Sequence, residues 1–366
     1  FPGNYAPDPT NPPVPQLFIA GPAGVAGTVS MPLYGTWPPA AFTIPPGGVA
    51  TVTLPAAADL GNANDVVETN GIHVVASLPV AVYGLNHIPF TSDAFLGLST
   101  RGLGLAHYVM AYRNVFTGVP ELNGTQLALA AAQDNTIVTI VPSANVGTHP
   151  GGVPFNLTLM QGQTYQLRDT NDAPADLSGT FVLADQPVAV FGGHQVANIP
   201  SSNQFFANYI VEQMPPTETW GVSFITAPLA GRLSGDTFRI MAMQNGTTVT
   251  VNGSALSPLN RGKFRQLQLA GSSVITADKP VLVAQFADSS DFDSVLYSDP
   301  FMVLLPPISS YSTSYILQTP TADFPTNYIN LMAPSALVGQ ILLDGAFIPA
   351  AAYSPVGASG FFTAQV

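Results

Sequence analysis

The sequence of 366 residues contains no cysteine. Disulfide bonds, thiol catalysis and cysteine-based metal sites are therefore excluded. The absence leaves the redox compartment open, because a chain without thiols is compatible with an oxidising and with a reducing environment.

Charged residues are also scarce. They form 8% of the chain, against about 25% in an ordinary soluble domain. The nine Lys and Arg residues leave a net charge of −12, and a surface that binds phosphates needs clustered cations, so nucleic-acid binding is excluded. The hydrophobic fraction of 46% separates the chain from disordered sequences, which are poor in apolar residues. Few basic residues also leave few sites for trypsin-like proteases, which suits an exposed extracellular protein.

Long uninterrupted apolar runs are missing as well. Residues 9–58 carry no charged side chain, but Pro and Gly interrupt them every few positions. A membrane-spanning helix needs about 18 or more consecutive apolar residues, so we expect no membrane span. The first five residues lack the basic start and apolar run of a signal peptide. The signal of a secreted protein would therefore have been removed or would lie upstream.

What the sequence does have is an internal repeat. A short apolar strand, a turn and a second strand return four times, and in three copies a segment centred on Pro-Val-x-Val follows. Such alternating segments, flanked by Asn-Gly or Asp-Gly, are typical of strands and hairpins. Copies of one β-unit predict an all-β antiparallel fold with little helix. The three Pro-Val-x-Val segments, each predicted to be a hairpin, are residues 71–84, 179–192 and 271–284.

The repeats divide the chain into three complete β-units and one partial unit, at residues 1–120, 121–232, 233–322 and 323–366. The prolines of the repeated segment are Pro79, Pro187 and Pro280. Proline fits the first residue of a strand because no ladder donor is needed there. Two arrangements agree with this pattern: a propeller-like ring, which we favour because so few charges indicate strands buried on both faces, and tandem β-sandwiches.

The fourth unit lacks the Pro-Val-x-Val segment. Residues 359–366 align with the strand at residues 263–267, and no such segment follows. An open strand edge is a liability in solution. It could be filled by residues beyond this sequence, by the N-terminal segment or by a strand from another subunit. The last alternative predicts self-association into a homopolymer, a surface fibre or matrix assembled by strand exchange.

Seven short motifs carry a family likeness: Gly71-Ile-His73, Pro79-Val-Ala-Val-Tyr83, Ser92-Asp-Ala-Phe-Leu96, Pro187-Val-Ala-Val-Phe-Gly-Gly-His194, Glu212-Gln-Met-Pro-Pro216, Thr219-Trp-Gly221 and Pro228-Leu-Ala-Gly-Arg232. They resemble the IgGFc-binding domain family, over essentially the whole chain. The resemblance implies an extracellular or cell-surface protein used for adhesion or matrix building. Animal members carry cysteines and this chain has none, so the resemblance also suggests a prokaryotic relative.

Functional groups recur after the Pro-Val-x-Val segments, and a ring would bring these loops to one face. The residues are Asn86, His87, Asp93, His194, Gln195, Asn203, Asp288, Asp291 and Asp293, with a second acidic loop at Asp169, Asp172 and Asp176. We predict a ligand-binding role for His87, Asp93 and His194, the alternative being histidines that cap loops by hydrogen bonding. The carboxylates of residues 288, 291 and 293 predict a Ca²⁺ site, since Ca²⁺ takes six to eight oxygens. The alternative is a solvated acidic turn, and no other cofactor is expected.

Catalysis is not expected. The sequence has no Gly-x-Ser-x-Gly elbow and no recognisable pair of glycosidase carboxylates. The alternative to assembly is a glycan- or glycoprotein-binding adhesin, in which Tyr34, Trp37 or the histidine loops stack on sugars. Glu212, Trp220 and Arg232 are predicted to be structural, with Glu212 and Arg232 forming a buried pair.

Overall fold

The computed structural model describes residues 1–8, 10–295, 298–319, 324 and 326–366. Strands account for 42% of the residues and helices for 6%, which confirms the predicted all-β fold with little helix. The chain divides into two compact units. The first consists of Phe1–Thr219, Asp299–Val303 and Ser314–Gln318, and the second of Trp220–Ser298, Leu304–Thr313 and Thr319–Val366.

The first compact unit holds the strands between residues 1 and 219, which come from the first two sequence repeats. In chain order they are β1 (Val14–Ala20), β2 (Ala26–Ser30), β3 (Ala40–Thr43), β4 (Val49–Thr53), β5 (Val66–Glu68), β6 (His73–Ala76), β7 (Ala81–Ile88), β8 (Thr91–Gly97), β9 (Ala106–Tyr108), β10 (Thr125–Ala131), β11 (Thr136–Val141), β12 (Phe155–Leu159), β13 (Thr164–Asp169), β14 (Phe181–Ala184), β15 (Val188–Ala197) and β16 (Asn208–Gln213). Single 3₁₀ turns lie at Ala56–Ala58, Pro120–Leu122 and Thr217–Thr219.

The remaining strands belong to the second compact unit, apart from β23, whose residues fall in both compact units. They are β17 (Gly221–Ile225), β18 (Asp236–Ala242), β19 (Val249–Val251), β20 (Ser254–Ala255), β21 (Phe264–Leu269), β22 (Val274–Phe286), β23 (Met302–Leu304), β24 (Asn330–Pro334), β25 (Leu342–Leu343), β26 (Ala346–Phe347), β27 (Tyr353–Pro355) and β28 (Phe361–Gln365). The short helix α1 spans Ser290–Asp293, and 3₁₀ turns lie at Ile308–Ser310, Ser335–Leu337 and Ala350–Ala352.

Each complete repeat contains two three-stranded antiparallel ladders, one following the other along the strand direction. In repeat one, β1 lies between β4 and β7, and β2 lies between β3 and β6. In repeat two, β10 lies between β13 and β15, and β11 between β12 and β14. In repeat three, β18 lies between β21 and β22, and β19 between β20 and β22. The described strands form open-ended sheets, and no pairing among them closes a propeller-like ring.

The Pro-Val-x-Val segments are not hairpins, which corrects the prediction from the sequence. Around Pro79, β6 pairs with β2 and β7 pairs with β1, so the chain continues in one direction from ladder to ladder. Pro187 occupies the same place between β14 and β15. Pro280 lies inside the continuous strand β22, which pairs with both β18 and β19. Proline lacks an N–H, so it fits the point where the segment passes between ladders.

Two glycines allow the strands of repeat two to pack closely. Gly192 and Gly193 lie within β15, between β10 and β16. A Cβ on Gly192 would lie 2.2 Å from the carbonyl oxygen of Met110, and one on Gly193 would lie 2.0 Å from that of Ile210. Any side chain at these positions would force the backbones apart.

Equivalent turns mark repeats three and four. Asn252 and Gly253 join β19 to β20 with φ of 49° and 80°, and Asp344 and Gly345 join β25 to β26 with φ of 49° and 84°. Positive φ at both central residues defines the type I′ turn, for which Asn-Gly and Asp-Gly are preferred. The two turns therefore have the same type I′ geometry.

Repeat four contains counterparts of four strands of repeat three. β24 pairs with β28, and β25 pairs with β26, in the places that β18, β21, β19 and β20 occupy in repeat three. β27 lies on the far side of β28. Among the described strands, β24 is therefore bonded along one edge, whereas β1, β10 and β18 are bonded along both.

The core of the first compact unit gathers around the β7–β8 hairpin. The Phe95 ring meets Phe1 and Phe191 edge to face, with centroids 5.2 and 5.0 Å away. The Tyr209 hydroxyl donates to the Pro2 carbonyl at 2.8 Å, so the first residues are held inside the unit. These contacts pack β8 against β15 and the first residues of the chain against β8 and β16, next to the predicted site residues.

Candidate functional site

Asp93, on β8, is buried and bonded to three backbone donors. Its carboxylate accepts hydrogen bonds from the N–H groups of Ala94, Val211 and Met302, at 2.8, 2.9 and 3.3 Å. Val211 lies on β16 and Met302 begins β23, so one side chain joins three segments. Burial raises the pKa of Asp93 to about 8, and the three donors act against that rise. The Asp93 carboxylate therefore holds the β7–β8 hairpin against β16 and β23.

The other two predicted residues of this hairpin are also bonded within the fold. The buried Asn86 amide donates to the carboxylate of Asp59, and burial raises the pKa of Asp59. His87 is half-buried, with Nδ1 lying 3.0 Å from Oγ of Ser92. The Ser92 hydroxyl donates onward to the Ile88 carbonyl at 2.9 Å. For His87 this geometry favours the hydrogen-bonding alternative.

His194, on β15, is 1% exposed. Its Nδ1 accepts a hydrogen bond from the Val196 N–H at 3.0 Å, so the ring proton lies on Nε2, which donates to Asn114 Oδ1 at 3.0 Å. The neighbouring Gln195 is buried as well, whereas Asn203 is exposed in the following loop. His194 is therefore bonded through both ring nitrogens inside the first compact unit.

In the second compact unit, Asp288 lies two residues after the end of β22. Its carboxylate accepts hydrogen bonds from the Thr237 hydroxyl at 2.6 Å and from the Gln268 amide. Burial raises the pKa of Asp288 to about 6, and the nearby carboxylates of Asp236 and Asp293 add to the rise. This acid is also used within the fold.

Arg232 forms its ion pair with Asp293, which corrects the predicted Glu212–Arg232 pair. The guanidinium lies 3.2 Å from the Asp293 carboxylate, and the two side chains are 1% and 0% exposed. The same carboxylate accepts the Ser234 N–H at 2.8 Å, and Arg232 also donates to the Asp288 carbonyl at 2.8 Å. The pair ties the segment after β17 to helix α1.

The three carboxylates predicted to bind Ca²⁺ are not gathered around one point. Asp288 and Asp293 point into separate hydrogen-bond networks, and Asp291 is exposed on α1. Within the described residues, no group of three or more His, Asp or Glu side chains is placed to hold a metal ion. A Ca²⁺ ion would have to compete with Arg232 for Asp293.

The second acidic loop is likewise made of separate local bonds. Each carboxylate accepts a nearby backbone N–H: Asp169 from Asn171 at 2.8 Å, Asp172 from Gly118 at 2.7 Å and Asp176 from Ser178 at 2.8 Å. Burial raises the pKa of Asp169. These acids shape the loop between β13 and β14.

The aromatic residues predicted to stack on sugars are partly taken up by packing. Tyr34 and Trp37 are half-buried against the core cluster of the first compact unit. The surface that these two rings offer to a ligand is correspondingly small. Trp220, which was predicted to be structural, is 8% exposed.

Among the described residues, the two most exposed aromatic rings were not predicted from the sequence. Phe90, in the turn between β7 and β8, is 93% exposed, and Phe205, in the loop between β15 and β16, is 84% exposed. Both line a cavity of about 290 Å³, together with Tyr5 and Ile88. The sequence feature that could have indicated Phe90 is the Pro89-Phe90 pair between two strands. A type II turn with Pro as its first central residue prefers Gly as its second, and this chain has Phe there.

Comparison with known proteins gives a family. A sequence model described as "IgGFc binding protein" matches residues 93–366. The human IgGFc-binding protein is 26% identical over 286 residues, which are 76% of this chain and 5% of that protein. The chain thus spans a small part of the relative's length. No solved structure matches, and a search of the described residues for a helix with the length and hydropathy of a membrane span finds none. The chain belongs to the IgGFc-binding family.

Proposed function

We infer that this chain is an extracellular structural and binding module, and that copies of it assemble into a fibre or matrix. Family membership and the name of the human relative favour a binding or structural role over catalysis. In this proposal, a neighbouring copy supplies the strand that completes repeat four. The low charge and the few basic residues suit an exposed protein outside the cell.

The free edge of β24 carries this proposal. Ile329 and Val366 exchange both backbone hydrogen bonds, at 2.8 and 3.0 Å. Backbone hydrogen bonding alternates along an antiparallel strand. The N–H and C=O groups of Leu331 and Ala333 therefore point toward β28, and those of Met332 point toward the opposite edge of β24. No partner for the Met332 backbone on that edge occurs among the described residues.

The complete repeats indicate which strand would fit there. In repeat three, β22 occupies the corresponding edge of β18, and its buried side chains include Val281, Val283 and Phe286. A strand of this pattern would add hydrogen bonds to β24 and place apolar side chains over repeat four. The core there is small, with Ala333, Ile348, Tyr353 and Ala364 as its buried apolar members.

Electron microscopy of the purified chain tests this assembly. We expect linear filaments for the wild type and for Met332→Val. We expect dispersed particles for Met332→Pro, because this substitution removes the N–H that points away from β28. An excess of a synthetic peptide of residues 274–286 should also disperse the filaments. Assembly through β24 would be refuted if the wild type formed dispersed particles. It would also be refuted if Met332→Pro formed filaments and the peptide did not disperse those of the wild type.

The second candidate is a glycan- or glycoprotein-binding adhesin. The observation that favours it is the relationship to a human protein named for binding IgG Fc. Surface plasmon resonance with human IgG Fc, in glycosylated and enzymatically deglycosylated form, tests this function. Saturable binding lost on deglycosylation would assign a glycan ligand, and binding kept would assign a protein surface. Absence of binding to both forms would remove Fc as the ligand.

A further inference from the structure

We propose that the cavity between Phe90 and Phe205 is a docking site for an apolar side chain of a protein partner whose contact segment carries basic residues. The inference rests on the second proposed function, capture of a glycoprotein, and names the surface and the ligand chemistry. It lies wholly within the first compact unit and does not depend on β24.

The cavity has the size and lining of an anchor pocket. Its volume is about 290 Å³, at the lower limit of about 300 Å³ for small-molecule sites, so it suits a single side chain. Ile88 and Val196, both buried, contribute apolar atoms to its wall, and Phe90 and Phe205 stand at the exposed side. Exposed aromatic rings around an apolar pocket are typical of interface hot spots.

Phe90 occupies a position that its own side chain disfavours. Ile88 pairs with Thr91, so Pro89 and Phe90 are the two central residues of the turn. Phe90 has a φ of 69°, in the left-handed region where glycine is favoured and a bulky residue is strained. Its ring gains almost no burial in return. A residue that is strained and exposed at once is better explained by a ligand than by the fold.

The loop that carries Phe205 is held in place by hydrogen bonds. The Asn198 amide donates to the Gln204 carbonyl at 2.7 Å, and the Ser201 hydroxyl donates to the Gln204 side chain at 2.7 Å. The Tyr112 hydroxyl donates to the Pro200 carbonyl at 3.1 Å. A ring presented by a tied loop loses little freedom on binding, which favours affinity.

The charges around the cavity select the partner's chemistry. Asp8 lines the cavity, and no Lys, Arg or His does so among the described residues. The chain carries a net charge of −12, so an anionic ligand is repelled and a segment with Lys or Arg beside its apolar anchor is attracted. A sugar ring fits less well, because apolar side chains predominate in the lining.

Saturation-transfer NMR on the full chain tests the pocket directly. The probes are N-acetyl-tryptophanamide and N-acetyl-leucinamide as side-chain mimics, and methyl β-galactoside as the sugar. We expect signals from the amides and none from the sugar, and loss of the amide signals in Phe90→Gly and in Phe205→Ser. Phe347→Ser is the matched control, because Phe347 is 66% exposed in the second compact unit. It should leave the signals unchanged.

Phe90→Gly also separates a binding role from a structural one. Since glycine accepts positive φ, this variant should melt at the wild-type temperature or above it while losing the probe. A lower melting temperature would mean that the ring stabilises the turn, and would overturn the inference. Equal amide signals in wild type and both cavity variants, or a signal from the sugar alone, would overturn it as well.

A displayed peptide library, selected on the wild type and depleted on the double variant Phe90→Gly/Phe205→Ser, tests the partner's chemistry. We expect enriched peptides to share an aromatic or aliphatic anchor beside Lys or Arg, and to bind the double variant about tenfold or more weakly. Failure to enrich such a motif would overturn the proposal. Equal Fc binding by the wild type and the double variant would overturn this site but not the adhesin function. Fc binding that is weaker in the double variant would support the site.

Discussion

Acidification is predicted to stabilise the first compact unit through Asp93. The folded-state pKa of about 8 lies above the unfolded value of about 3.9, so the folded state binds the proton more tightly. The resulting stabilisation is complete below the unfolded pKa and is lost as the pH rises to the folded pKa. The slope between these values approaches about 1.4 kcal/mol per pH unit, so lowering the pH from about 8 to about 5 should add up to about 4 kcal/mol.

Two opposing effects determine this sign. Burial of Asp93 disfavours the carboxylate, whereas the N–H groups of Ala94, Val211 and Met302 favour it. If desolvation wins, stability rises on acidification. If the three donors win, the folded pKa lies below the unfolded one and stability falls instead. The Asp93→Asn variant cannot ionise, so it removes this contribution in either case.

The two tryptophans allow each compact unit to be followed separately. Trp37 lies in the first unit and Trp220 in the second. Urea unfolding of a Trp220→Phe chain, followed by Trp37 fluorescence from pH 8 to about 5, reports the first unit. Asp59 also has a raised pKa, so the difference between wild type and Asp93→Asn isolates Asp93. An equal pH slope in both proteins, or a wild type that alone weakens in acid, would refute the reasoning.

Three further predictions concern packing and charge. Arg232→Met should lower the free energy of unfolding of the second unit by about 3–5 kcal/mol in urea, because Asp293 is left buried and unpaired; Asp293→Asn in the same chain should restore part of the loss. Gly193→Ala should lower the melting temperature of the first unit, because its Cβ would lie 2.0 Å from a carbonyl oxygen of β16, whereas Gly35→Ala, with no atom within 4 Å, should not. Replacing EDTA by Ca²⁺ should leave the melting temperature of the second unit unchanged, because the carboxylate of Asp288 is already bonded; a rise would support the calcium site predicted from the sequence.

The repeat was predictable because its signals are local. Asn252-Gly253 and Asp344-Gly345 specify type I′ turns through their own backbone preferences, and the alternating strands beside them follow from the same short windows. The Pro-Val-x-Val segments misled because two strands around a proline look alike in a hairpin and in a strand that passes between ladders. The difference lies in the partners: β6 pairs with β2, about 45 residues earlier in the sequence, and β7 pairs with β1, about 65 residues earlier.

The site was harder to predict because burial is not a local property. Asp93 and His194 follow strand signals in the manner of exposed loop residues, yet both are buried and bonded to neighbouring segments. Phe90 is the opposite case: an apolar residue beside a strand is ordinarily assigned to a core, and only its φ and its 93% exposure reveal otherwise. The polar residues Asp93 and His194 therefore stabilise the fold, and the apolar residue Phe90 lies on the candidate binding surface.

The treatment of strand edges strengthens the case for β24 as an assembly edge. At the edge of β8, the Asn208 amide donates to the Ser92 carbonyl at 2.9 Å and accepts the Ser92 N–H at 2.8 Å, while Asp93 accepts the Val211 N–H. Side chains there occupy the backbone groups that another strand would need. Among the described residues, nothing comparable covers the outward N–H of Met332 on β24. This contrast between the edges of β8 and β24, within the described residues, supports the proposal that β24 pairs with a strand of another copy.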